Sequence, residues 1–200
     1  MAKFFHSVWF RCISVLLIIS VISGGLLAVL NDILYVTAAE RTARAVAKIY
    51  GKAIPVEEEN IILDVDSENP DKTTPIEYEF GRIDKIFIIN DDLLFQTVGY
   101  NGYKNGTVTL WIKVILQDGV YKTDKIILET YTKQTLMSKF GDSYFEGFKL
   151  TDITESYENG DYFTSETGVN SNPNTGATFS ANACCNAVNC VIKYMGENHE

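Results

Sequence analysis

Apolar and polar residues fall into four regimes along the chain. The first is unbroken. From Cys12 to Leu30 no residue is charged, and Val15-Leu16-Leu17-Ile18-Ile19 leads the run. Nineteen helical residues rise about 28 Å, close to the roughly 30 Å of a bilayer's hydrocarbon core. The second regime, residues 32–52, is alanine-rich with Arg41, Arg44 and Lys48 interspersed, and predicts a helix that ends at Gly51 and Pro55. The third alternates. Ile61–Val65, Ile76–Phe80, Lys85–Ile89 and Leu93–Val98 read as strands, with a turn at Asn90-Asp91-Asp92. Thr107–Leu116 sets Val108, Leu110, Ile112, Val114 and Leu116 against Thr107, Thr109, Trp111, Lys113 and Ile115. Gln117-Asp118-Gly119 then predicts a hairpin into a return strand, Val120–Thr130. Such alternation suits a sheet with one face more buried than the other. Residues 133–150 predict a loop and short helix, with Phe140, Tyr144, Phe145 and Phe148 as the packing side. The fourth regime is a polar loop over 158–177, then a helix from about Ala181 to Met195. Ala183, Ala187, Cys190 and Tyr194 share one of its stripes, and Gly196 is its stop.

The fold class this predicts is α+β: a twisted antiparallel sheet with flanking helices packed to one side, preceded by one N-terminal transmembrane helix. The expected organisation is a short cytoplasmic N-terminus (1–11), a membrane anchor (12–30), a membrane-proximal helix (31–55) and an extracytoplasmic domain (56–200). An apolar run of this length exceeds the 7–15 residues of a signal peptide's core, although Thr37-Ala38-Ala39 is a passable cleavage site. No cysteine follows the run, which argues against a lipoprotein. Basic residues flank the span on both sides, so counting them does not fix its direction. The orientation adopted follows the usual single-anchor arrangement.

Charge and residue usage narrow the chemistry. The net charge is −9, and after Leu30 there are 15 basic residues against 26 acidic ones. Such a domain is a poor polyanion binder, and nucleic acid is not expected as a partner. The two histidines, His6 and His199, lie beside the termini, which argues against histidine-based nucleophilic catalysis and a histidine metal site. Cys184, Cys185 and Cys190 crowd into seven residues without a CxxC pair, and read as small apolar packing residues. Glu57-Glu58-Glu59 reads as a solvated face.

The segment that carries chemistry is Thr175-Gly176-Ala177-Thr178-Phe179-Ser180, where the polar loop meets the last helix. Small residues let backbone approach a ligand, and a helix start offers N–H groups and partial positive charge to a phosphate. Thr178 adds a hydroxyl there. On spacing alone, Thr178 or Ser180 as an ordinary helix cap is the plainer reading.

The hexapeptide resembles the [Ser/Thr]-Gly-Ala-Thr-x-[Ser/Thr] signature of the FMN-binding domain family, found in the flavin-carrying components of Rnf complexes and of the sodium-pumping NADH:quinone oxidoreductase. Other features are similar in order: one N-terminal span, a glycine loop (Gly99-Tyr100-Asn101-Gly102) before a strand, Gln134-Thr135 where the family often has Glu-Thr, and the signature near the C-terminus. The resemblance implies FMN held by a phosphoester on Thr178 and attached by a separate flavin transferase. It implies room beside the phosphate at Thr175, Gly176 and Ala177, and cofactor contacts from Ser180 and Thr135. It implies no catalytic residue and no metal. The family's motif has an acidic residue six positions before the modified threonine, where this chain has Asn172. The function implied is electron carriage within a membrane ion-translocating oxidoreductase, beside other redox subunits and membrane lipid. Rnf is preferred because 200 residues leave little room for insertions. The alternatives are a stand-alone surface flavoprotein and a non-redox anchored binding domain.

Overall fold

A computed structural model describes residues 8–34, 36–149, 152–165 and 177–198. The chain divides between Arg41 and Thr42 into a small N-terminal unit and a larger compact one. The small unit contains α1 (Val8–Leu34), whose stretch Cys12–Asn31 is long and apolar enough to cross a membrane. Its twenty residues rise about 30 Å, one hydrocarbon core. Leu16, Leu17 and Ile22 on it are exposed.

The helix expected from residue 31 onward begins later, because α1 continues to Leu34. The next helix, α2 (Ala38–Tyr50), starts afresh at Thr37. Thr37 Oγ1 accepts the Glu40 N–H at 3.1 Å, and the Thr37 carbonyl accepts the Arg41 N–H at 3.0 Å. Thr37-Ala38-Ala39-Glu40 has capping-box spacing, which favours a helix start at that point.

In the larger unit six strands form one antiparallel sheet: β1 (Ile61–Asp64), β2 (Ile76–Tyr78), β3 (Gly81–Ile89), β4 (Asp92–Gly99), β5 (Val108–Gln117) and β6 (Val120–Tyr131). The order is β1-β3-β4-β5-β6, with β2 also paired to β3. Both two-residue hairpins are left-handed at both positions, Asn90 and Asp91 at φ 54° and 68°, Asp118 and Gly119 at φ 56° and 80°. That backbone matches strand twist, and Asn, Asp and Gly tolerate it best.

The sheet is covered on both faces, not one. On one face Ile83, Phe95, Leu110, Ile112 and Val114 pack with Ala183, Ala187, Cys190 and Val191 of α5 (Thr178–Asn198). On the other, Phe87, Ile89, Leu94, Trp111 and Ile127 pack with Ala45, Val46 and Ile49 of α2. β4 is therefore buried along almost its whole length. The second cover was missed because α2 brings only a few small aliphatic residues, Ala45, Val46 and Ile49, to the contact. Its seat is reinforced by charge. Lys125 Nζ donates to the Lys48 and Ile49 carbonyls at 3.0 and 3.4 Å, capping the helix's negative end. Lys85 is buried, its Nζ 2.8 Å from Asp64, 2.7 Å from Asp66 and 3.4 Å from the Thr42 hydroxyl.

The aromatic side expected from residues 133–150 forms around α3 (Asp142–Glu146). Phe140 and Tyr144 meet edge to face at 4.5 Å, and Phe148 meets Phe163 at 5.0 Å. A helix not expected from the sequence, α4 (Ile153–Asn159), is capped by Asp152, which accepts the Glu155 N–H at 2.8 Å, and closes at Gly160 with φ 71°. Gly196 does not stop α5. The helix runs on to Asn198, and the glycine makes room for the Tyr157 ring, which any side chain there would overlap.

Candidate functional site

The last helix begins three residues earlier than expected, which makes Thr178 its first residue. The Ala177 carbonyl accepts the Ala181 N–H at 2.9 Å, the first backbone bond of α5. A helix start leaves its leading N–H groups without intrahelical acceptors and gathers partial positive charge. Thr178 is exposed at that end, Ala177 is buried beneath it, and Ser180 turns inward.

Three distant stretches meet at Gln134, a buried residue. Its Oε1 accepts the Ser180 hydroxyl at 2.7 Å and the Tyr103 N–H at 3.1 Å. Its Nε2 donates to the Thr132 carbonyl at 3.0 Å. One carboxamide thus joins the first turn of α5 to the loop before β5 and the segment after β6. The glycines of that loop make the approach possible. A side chain at Gly102 or Gly106 would overlap the Gln134 amide. The loop closes on itself through Gly102 N–H to the Gly106 carbonyl at 3.0 Å, with Lys104 and Asn105 in left-handed backbone.

A second clamp lies further along α5. Asn186 Nδ2 donates to the Tyr100 carbonyl at 2.9 Å. At Gly99 the helix lies directly on the end of β4: an added methyl would overlap the Ala183 carbonyl oxygen and sit 2.6 Å from the Ala187 nitrogen. Asn189 exchanges two bonds of 2.9 Å with the backbone of Phe163, holding the chain that follows α4.

The sequence-predicted site residues therefore divide. Thr178 is the first residue of α5 and Ala177 precedes it; further along the helix Ser180 reaches Gln134 and Asn186 reaches the Tyr100 carbonyl. Thr135 is exposed next to Gln134. Ser180 commits its hydroxyl to Gln134 and so acts as an anchor of the helix. Thr175, Gly176 and Asn172 lie outside the described residues. Two features were not foreseen from the sequence. Gln134 stood out only as Thr135's neighbour, since nothing local shows that its amide spans 31 and 46 residues. Phe179 is 61% exposed beside Thr178, and Tyr103 and Tyr131 at the same end of the sheet are 37% and 45% exposed. Large exposed aromatics at one end are a signal that only the fold can reveal.

Helix N-termini as a class suit phosphates, and Thr178, the first residue of α5, is exposed. The three late cysteines do not take part. They are buried free thiols, and burial raises the pKa of each, that of Cys185 to about 12. Among the described residues no group of three His, Cys, Asp or Glu is placed to hold a metal ion. No family model, no curated protein and no solved structure matches the chain.

Proposed function

We propose that the chain is a membrane-anchored electron carrier of the Rnf type, holding FMN through a phosphoester on Thr178. In this reading α1 is a single-pass anchor, the domain lies on the extracytoplasmic side, and electrons pass between neighbouring redox subunits. The observation that carries it is the Thr178 hydroxyl, exposed on the first residue of a 21-residue helix whose first turn is pinned through Ser180 to Gln134. Among the stretches named by the resemblance, 175–180, 134–135 and 99–102, the bonds from Ser180 to Gln134 and from Asn186 to the Tyr100 carbonyl support the reading.

The residues have distinct tasks. Thr178 Oγ1 would hold the FMN phosphate as a phosphoester, its proton given up as the bond from that phosphorus to the other phosphate of an FMN phosphoanhydride donor is broken. The separate transferase catalyses this step, and an exposed threonine is what it requires. The α5 N-terminus would stabilise the phosphate charge. Gln134, Ser180, Gly99 and Asn186 fix where that end sits. When bound, the flavin supplies the one- and two-electron chemistry.

Visible absorption of the full chain, purified from its native host, tests the function. A yellow protein whose flavin bands bleach with dithionite, return in air and survive denaturation and gel filtration supports it. A colourless protein overturns it.

A further inference from the structure

The chain's charge is segregated in a way the flavin site does not use. Between Ala38 and Lys52 four basic residues, Arg41, Arg44, Lys48 and Lys52, stand against one acidic residue, Glu40. From residue 53 onward, 24 acidic residues outweigh 11 basic ones. The basic residues also share a side. Arg41, Arg44 and Lys48 lie at i, i+3 and i+7 on α2, Lys52 follows just past Gly51, and all four are exposed. Thr42, Ala45, Val46 and Ile49 form the buried face of the same helix, so the basic side is turned outward. At the end of α2 a further cation, Lys125, sits on the last carbonyls.

We propose that the basic side of α2 docks on anionic phospholipid headgroups. The proposal rests on α1 crossing the membrane and is independent of the flavin. Arg41 follows the apolar stretch, which ends at Asn31, by ten residues. The chain therefore keeps this helix near the bilayer surface. An anionic surface attracts basic residues within a Debye length and repels an acidic body. The basic side of α2 meets such a surface more favourably than the acidic remainder does. The guanidinium of Arg41 adds the fork geometry that suits a phosphodiester. The consequence is a preferred orientation: α2 against the lipid, the acidic remainder held away.

The test uses the full chain in nanodiscs, with Cys12→Ser and Ala43→Cys carrying a donor dye and a headgroup-labelled lipid as acceptor. Ala43 is exposed on α2, and Cys184, Cys185 and Cys190 are buried. Energy transfer is expected to be higher in discs with one phosphatidylglycerol in three than in phosphatidylcholine discs. The excess should fall by roughly half or more when salt rises from about 0.1 M to about 1 M, where the Debye length shortens from about 10 Å to about 3 Å. Changing Arg41, Arg44, Lys48 and Lys52 to Gln should remove it, while changing Lys133, Lys139 and Lys149 to Gln should leave it. Circular dichroism keeps folding separate from docking. Equal transfer in both lipids, an excess indifferent to salt, an excess lost equally in both variants, or failure to co-purify with the discs would each overturn the proposal.

Discussion

Replacing Gly99 by Ala tests how the candidate site is positioned, because this glycine sets the distance between α5 and the sheet. Its backbone needs no special conformation, so the cost is purely one of space. The new methyl would overlap the Ala183 carbonyl oxygen and stand 2.6 Å from the Ala187 nitrogen and 2.9 Å from the Ala183 carbonyl carbon. These are backbone atoms of a helix, so no rotamer change relieves them. Restoring the nitrogen alone to an ordinary 3.4 Å contact requires α5 to retreat by about 0.8 Å, and the oxygen overlap demands more. A gap of that size along a helix forfeits a quarter to a half of the dispersion well at each contact. Overpacking of this kind costs about 1–3 kcal/mol, and the backbone location puts Gly99→Ala at about 3 kcal/mol. The retreat also stretches the 2.7 Å bond between Ser180 and Gln134. The assay is thermal unfolding of the purified chain, followed by emission of the buried Trp111. Gly141→Ala is the control, since nothing lies within 4 Å of its added methyl. If Gly99→Ala unfolds within about 0.5 kcal/mol of wild type, as the control should, the close seating of α5 on β4 is wrong.

Three further outcomes follow from the same geometry. Gln134→Ala leaves the Tyr103 N–H and the Ser180 hydroxyl without their shared acceptor, and should cost about 2–3 kcal/mol in thermal unfolding and speed hydrogen exchange at the start of α5. Unchanged exchange there would count against the Gln134 bridge. At Lys85 burial works against the ammonium, but bonds and charges from Asp64 and Asp66 outweigh it and hold its pKa above the ordinary lysine value. Its contribution is therefore complete below that ordinary value and is lost as pH climbs through the raised folded one. Lys85→Met should destabilise by about 3 kcal/mol at neutral pH, the low end for a broken buried pair because Asp66 is half exposed, a difference that shrinks in strongly alkaline melts. Finally, iodoacetamide at about pH 8 should leave Cys184, Cys185 and Cys190 unmodified in the native protein and alkylate all three in guanidinium, since burial both shields the thiols and keeps them protonated. Mass spectrometry of the two samples decides it.

What could be read in advance was what is local. The apolar run marks α1, and Asp118-Gly119 marks a hairpin because few residue pairs accept that backbone. The alternation from Thr107 to Leu116 gave β5 within a residue, and the four aromatics from Phe140 to Phe148 did form a packing side. What stayed hidden depends on partners far away in sequence. Ala45, Val46 and Ile49 are too small and too few to announce a second sheet cover. Thr178, Phe179 and Ser180 are indifferent helix formers, so the start of α5 was placed late. Ser180's bond to Gln134, 46 residues distant, ties that first turn to the rest of the domain. Gly196 looked like a stop because the Tyr157 ring that occupies its empty side is not near it in sequence.

The account stands most directly on Thr178. Intact and peptide mass spectrometry of the full chain from its native host, with Thr178→Ala beside it, tests it. The account predicts a gain equal to FMN less one water, located on the peptide containing Thr178 and missing from the variant. An unmodified chain, from cells that flavinylate other proteins, would contradict it.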